Sequence, residues 1–176
     1  MHNTTRRIAT DAMLAAMFVC LSFVSIRVGN SMKISVDSLP ILVAALLLGP
    51  LDGLAVGLIG SFLNQMLTYG LSVTTVLWIL PAGLRGLLVG LCAKNHDFSL
   101  SRRQLVWITT ATALLVTALN TLVMYLDSVI YGYYTYAYVF GGLVTRVAAG
   151  LLTAIVMAFV APPVAERIAR LAPAQK

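Results

Sequence analysis

Apolar residues gather into six runs, near 8–28, 34–48, 51–67, 73–93, 105–126 and 138–164, divided by short polar or aromatic connections. A helix needs about 20 mostly apolar residues to cross the roughly 30 Å hydrocarbon core of a bilayer, and most of these runs approach or exceed that length. The second is shorter. At about 1.5 Å of rise per residue, it reaches only roughly 22 Å. It ends at Gly49-Pro50, where glycine suits a helix C-terminus and proline the first turn of the next helix. The pattern predicts an all-α integral membrane protein with a single membrane domain over 1–176. Six transmembrane helices form a bundle, and the short second helix folds back tightly on the third.

Composition agrees with this pattern. Of the 176 residues, 60% are hydrophobic and 10% charged, with a mean hydropathy of +0.92. A soluble domain carries about 25% charged residues, so an ordinary globular protein is excluded. The net charge of +6 does not point to nucleic acid, because the basic residues sit at the ends of apolar runs rather than in a solvated patch. With six spans both termini share a side. That side holds Arg6, Arg7, Lys94, Arg102, Arg103, Arg167, Arg170 and Lys176, against Arg27 and Lys33 opposite. The positive-inside rule places both termini in the cytoplasm. The first apolar stretch is long and lacks an Ala-x-Ala site, so no cleavable leader is expected. Cys20 and Cys92 stand alone in apolar runs and read as buried small residues, without a disulfide or metal role.

Polar residues are distributed unevenly within the spans. The outer ends and outer halves hold Arg27, Lys33, Asp37, Asn64, Gln65, Thr68, Tyr69, Thr74, Thr75, Trp78, Asn120, Tyr125 and Asp127, while the inner halves of the second and sixth are aliphatic or small. A polar funnel closed below by apolar packing describes a binding pocket better than a continuous pore. Gly53, Gly57, Gly60 and Asn64 share one face of the third helix, which lets a neighbouring backbone approach closely. Asn64 and Asn120 could equally glue helices or contact a ligand. The outer stretch after the fifth span carries Tyr131, Tyr133, Tyr134, Tyr136 and Tyr138, which suits an interfacial aromatic belt or stacking on a flat ligand.

Two arginines lie inside spans, where a charge is costly and marks function by default. At 1.5 Å per residue, Arg85 falls about 17 Å down the fourth helix and Arg146 about 13 Å down the sixth, both near the pocket floor. Arg146, with Arg27 or Lys33 at the mouth, is expected to engage an anionic group bidentately. Arg85 either contacts ligand or is structural, capping carbonyls or snorkelling. The expected substrate-binding set is Arg27, Lys33, Asn64, Tyr69, Trp78, Arg85, Asn120, Tyr125 and Arg146.

There is no GxxxxGK[ST] phosphate loop, and His2 and His96 sit at the cytoplasmic edge, so no Ser-His or Cys-His pair can be built inside the membrane. No catalytic residues and no cofactor are expected. Active transport would draw its energy from a partner.

The stretches "ISVDSLPILVAALLLGPLDGLAVGLIGSFLNQML" and "LRGLLVG" resemble the substrate-specific S components of energy-coupling factor (ECF) vitamin transporters, most closely the folate-type branch. Matching features are the S-x-x-x-L-P-I lead-in at 35–41, then Gly49-Pro50 with Gly53 and Gly57, and "LNTLVMYLDSVIYG" at the fifth helix. Ala12-x-x-x-Ala16 resembles the family's motif for docking the coupling subunit. The resemblance implies a six-helix bundle in the bacterial cell membrane that binds a vitamin from outside. It also implies a transmembrane coupling subunit and two ATPase subunits that power inward release. The connection between helices three and four is only "TYGLSVTT", shorter than the folate-type loop. Two rival readings are a non-transporting membrane scaffold of the rod-shape-determining type and a stand-alone secondary carrier. The latter should show internal repeats or mid-membrane ion ligands, and neither is present in the sequence.

Overall fold

The structure, a computed structural model, describes residues 2–24, 26–28, 32–34 and 36–171. In chain order these form α1 (His2–Phe23), β1 (Ile26–Val28), β2 (Met32–Ile34), α2 (Ser38–Leu47), α3 (Pro50–Tyr69), α4 (Thr75–Asn95), α5 (Arg102–Ile130), α6 (Tyr136–Phe140) and α7 (Leu143–Leu171). The fold is the helical bundle that the hydropathy pattern predicts. Most spans shift by a few residues at their ends, and two depart further from their expected bounds. The first helix stops at Phe23 instead of running to 28, and β1 pairs antiparallel with β2 in the register Ile26↔Ile34, Arg27↔Lys33, Val28↔Met32. The β-branched residues Ile26, Val28 and Ile34 favour this extended pairing over helix. The last run divides at Gly141-Gly142 into α6 and α7, because two glycines in succession weaken a helix.

Among the described residues, three helical stretches are long and apolar enough to cross a membrane: Thr75–Asn95, Arg102–Ile130 and Tyr136–Ile168. α1 and α3 are diluted by Arg6, Arg7 and Asp11, and by Asp52, Asn64 and Gln65. The ten-residue α2 is the hub. It packs against α1, α3, α4 and α7 and buries Ser38 and Pro40 through Ala45.

The α2–α3 turn depends on Gly49, whose φ of +113° is strained for any side chain, and on Pro50 at the first turn of α3. α3 and α4 meet backbone to backbone through their glycines: a Cβ at Gly86 would lie 2.0 Å from the Gly53 carbonyl oxygen, and one at Gly57 2.5 Å from that of Ala82. The glycine face of α3 therefore serves close packing, with Gly60 set against Phe18 of α1. α5 starts at a capping box, in which the Gln104 N–H donates to Ser101 Oγ at 3.4 Å and the Ser101 N–H to Gln104 Oε1 at 2.9 Å. That cap satisfies two N–H groups at the helix start.

Candidate binding cavity

Within the bundle, α2, α3, α4, α5 and α7, with Phe18 of α1, line a cavity of about 410 Å³. With the termini in the cytoplasm, it runs from Trp78, Asn64 and Asn120 on the outer side to Thr109 and Met157 further in. Below it, Leu42, Ala45, Val89, Met157 and Ala161 pack into an apolar cluster. Its size and mixed lining fit pockets that hold small molecules, which typically span about 300–1,000 Å³.

Close α3–α4 packing brings the outer parts of those helices to the cavity wall. Asn64 and Gln65 enter from α3, and Trp78 and Arg85, seven residues apart, from one face of α4. Asn64 also ties α3 to α1, accepting at its Oδ1 from Ser22 Oγ at 2.5 Å and from Thr68 Oγ1 at 3.3 Å. It is thus packing glue and cavity wall at once. Trp78 is aimed by Asp127, a buried carboxylate on α5 that accepts from Trp78 Nε1 at 3.3 Å, from Thr74 Oγ1 at 2.5 Å and from the Tyr133 hydroxyl. One side chain thereby joins the start of α4, the end of α5 and the outer connection. Donation to this carboxylate raises the Tyr133 phenol above its ordinary 10.

The two intramembrane arginines differ in their surroundings. Arg146 lines the cavity, but its guanidinium is engaged by Val139 O, by Gly142 O at 3.3 Å and by Met124 Sδ. It holds the α6–α7 junction together. Arg85 lines the cavity with no hydrogen bond and no ion pair within 4 Å among the described residues, and the carboxylate of Asp37 acts on it through space. Gln65 and Asn120 also line the cavity without a hydrogen-bond partner among the described residues. The threonines of α5 have committed their donors: Thr109, Thr112 and Thr117 each donate to a carbonyl one turn back, at 2.8 Å.

Five residues of the expected binding set thus meet in one cavity: Asn64, Trp78, Arg85, Asn120 and Arg146. Tyr69 and Tyr125 do not line it. Tyr69 is the last residue of α3 and 67% exposed, while Tyr125 faces outward and packs edge-on against Tyr134. Arg27 and Lys33 face each other as backbone partners across the ribbon; their side chains lie outside the described residues. Ala12 and Ala16 are exposed on α1, on the face opposite Leu14, Ala15 and Phe18.

Three features were not given their roles by the sequence, although Gln65 and Asp127 stand among the polar residues of the funnel. Asp127 organises the outer end, and its signal was a carboxylate closing an apolar run. Gln65 joins the cavity because it neighbours Asn64 on a helix whose close packing brings it inward. At the inner end Arg7 binds Asp52 through Nε at 2.7 Å and through its terminal nitrogen, which also donates to Leu48 O at 3.3 Å. This ties α1 to the α2–α3 turn.

Residues 2–169 match the family model described as ECF-type riboflavin transporter, S component. Among curated proteins, the chain is 26% identical over 117 residues to a UPF0397 protein of Streptococcus thermophilus, covering 64% of each chain. It is 35% identical over 103 residues to a UPF0397 protein of Leuconostoc citreum, covering 53% of this chain and 54% of that one. The matched part thus spans under two thirds of the length of these relatives. Among solved structures, one described as "Structure and mechanism of the S component of a bacterial ECF transporter" superposes with a TM-score of 0.66 over 97% of this chain and 99% of that one, at 19% identity. The two share a fold.

Proposed function

Because the chain belongs to the family of ECF-type riboflavin transporter S components, we propose that it is the substrate-binding membrane subunit of an ECF-type importer. It captures a water-soluble vitamin from outside and releases it inward when a transmembrane coupling subunit and two ATPase subunits drive it. The observation that carries this reading is the cavity of about 410 Å³, where Gln65, Arg85 and Asn120 converge above an apolar floor. A few oriented polar groups in an otherwise apolar concavity are what a small-molecule site requires. A scaffold needs neither the cavity nor polar groups held without partners.

Trp78 and Phe18 in the lining suit a flat ring, which stacks favourably on aromatic side chains. Both the riboflavin named by the family and the folate-type resemblance fit that shape. The exposed Ala12 and Ala16 support α1 as the docking face for the coupling subunit, since small residues let a partner helix approach closely in lipid.

The test is mass spectrometry of small molecules released by denaturing the detergent-purified protein, followed by uptake in vesicles with and without the coupling subunit and ATPases. A stoichiometric vitamin and ATP-dependent uptake are expected. Uptake without ATPases would favour the secondary carrier. Absence of any bound or stabilising vitamin would favour the scaffold.

A further inference from the structure

We infer that the ligand is an organic anion and that Arg85 is the residue that binds its oxyanion, a carboxylate or a phosphate. This rests on the capture reading and names the substrate class of that same cavity.

The argument starts from the cost of the charge. An arginine within a bilayer persists where it is paired, hydrated or used. Arg7 has Asp52, and Arg146 has two carbonyls and a thioether. Arg85 lines the cavity with neither hydrogen bond nor ion pair among the described residues. Thr109 and Thr112 donate to their own helix, and neither hydroxyl oxygen accepts from Arg85. A guanidinium presents donors in a planar fork that matches a carboxylate or phosphate, and this fork is open to the cavity.

Charge balance points the same way. The described residues lining the cavity include two arginines, Arg85 and Arg146, and one carboxylate, Asp37. Arg146 is hydrogen-bonded but not neutralised, so the described lining residues carry a surplus of one positive charge. α2 also begins at the cavity wall, where Ser38 is part of the lining, and a helix N-terminus adds positive potential. A ligand with one net negative charge neutralises the surplus. The unpartnered amides of Gln65 and Asn120 then read its uncharged polar atoms. Arg146 becomes a positioning residue that fixes the α6–α7 junction beside the ligand.

The test uses full-length protein in detergent and ligand pairs that differ at one anionic group. Pantothenate against panthenol and biotin against its primary amide probe a carboxylate; flavin mononucleotide against riboflavin probes a phosphate. Binding is read by calorimetry and by shift of the melting temperature, and co-purified molecules are identified in parallel. The expected ligand, co-purified or from the panel, is an anion that binds at least tenfold more tightly than its uncharged counterpart, about 1.4 kcal/mol. Which pair responds separates carboxylate from phosphate.

Arg85→Gln is expected to abolish that preference while leaving binding of the uncharged counterpart in place. Its ligand-free melting temperature should be unchanged or higher, since an unpaired, half-buried charge has been removed. Arg85→Lys should keep part of the preference. A neutral ligand, or an anion bound undiminished by Arg85→Gln, overturns this inference and leaves the capture reading intact. So does loss of the fold in Arg85→Gln, because Arg85 would then be structural. A protein that releases nothing and binds no member of the panel sinks the capture reading, and this inference with it.

Discussion

Replacing Gly86 by alanine probes the contact on which the cavity depends. The added Cβ would stand 2.0 Å from the Gly53 carbonyl oxygen and 2.9 Å from Ile41 Cγ2, where ordinary contact begins at 3.4 Å. α3 and α4 must therefore separate by more than about 1 Å, since the two nearest obstacles, the Gly53 carbonyl oxygen at 2.0 Å and carbon at 2.3 Å, are main chain and no rotamer can yield. Overpacking costs about 1–3 kcal/mol, and backbone against backbone belongs at the upper end. Alanine returns about 1 kcal/mol of helix propensity. The net loss is about 2 kcal/mol, or a fall in melting temperature of roughly 4–8 °C at the 2–4 °C per kcal/mol typical of this chain length. The assay is thermal unfolding in detergent, followed by tryptophan fluorescence. Gly150→Ala is the control, because its Cβ meets only the Thr117 hydroxyl, at 3.1 Å; it gains the same propensity and should melt near the parent. The separation also moves Arg85 and Trp78 away from Asn64, so ligand affinity should fall with stability. If Gly86→Ala melts at or above the parent, α3 and α4 do not meet through their glycines, and the cavity wall described here is wrong.

Three further outcomes follow from individual contacts. Asp127→Asn keeps the shape but swaps an acceptor oxygen for a donor, so it cannot serve Thr74, Trp78 and Tyr133 together. A loss of about 1–3 kcal/mol and a changed Trp78 emission are expected in a Trp107→Phe background; an unaltered spectrum would sever Asp127 from Trp78. The Tyr133 phenol is raised, chiefly by its bond to Asp127, so the stability it contributes is fully present below the ordinary value of 10 and is lost as pH rises through its own higher value. Ultraviolet titration of the seven tyrosines should show one that ionises late, returning to the main group in Asp127→Asn. At the inner end, the Asp52 side chain is 8% exposed and that of Arg7 45%. Arg7→Ala strands a buried carboxylate, whereas Asp52→Asn leaves a solvated cation; the first should lower the melting temperature more, and equal losses would contradict the burial.

The sequence by itself determined what solvent preference determines. Long apolar runs with most charges at their ends define a membrane bundle and its expected orientation, because a bilayer penalises each misplaced charge by several kcal/mol. Gly49-Pro50 marked the tight α2–α3 turn, because few other residues tolerate that backbone. Helical spacing placed Trp78 and Arg85 on one face of α4. Other features awaited the tertiary structure. The ribbon at 26–28 and 32–34 was hidden in an apolar run, since three-residue strands form only through their pairing. Tyr69 and Tyr125 have the right chemistry for a pocket, yet helix rotation turns them outward, and a shift of one residue moves a side chain about 100° around the axis. The two intramembrane arginines look alike in sequence. Their roles parted only when the turn before α7, through Val139 and Gly142, and Met124 of α5 closed around Arg146 and left the fork of Arg85 open to the cavity. Hydrogen-bond satisfaction is a property of assembled neighbours, and no single segment carries it.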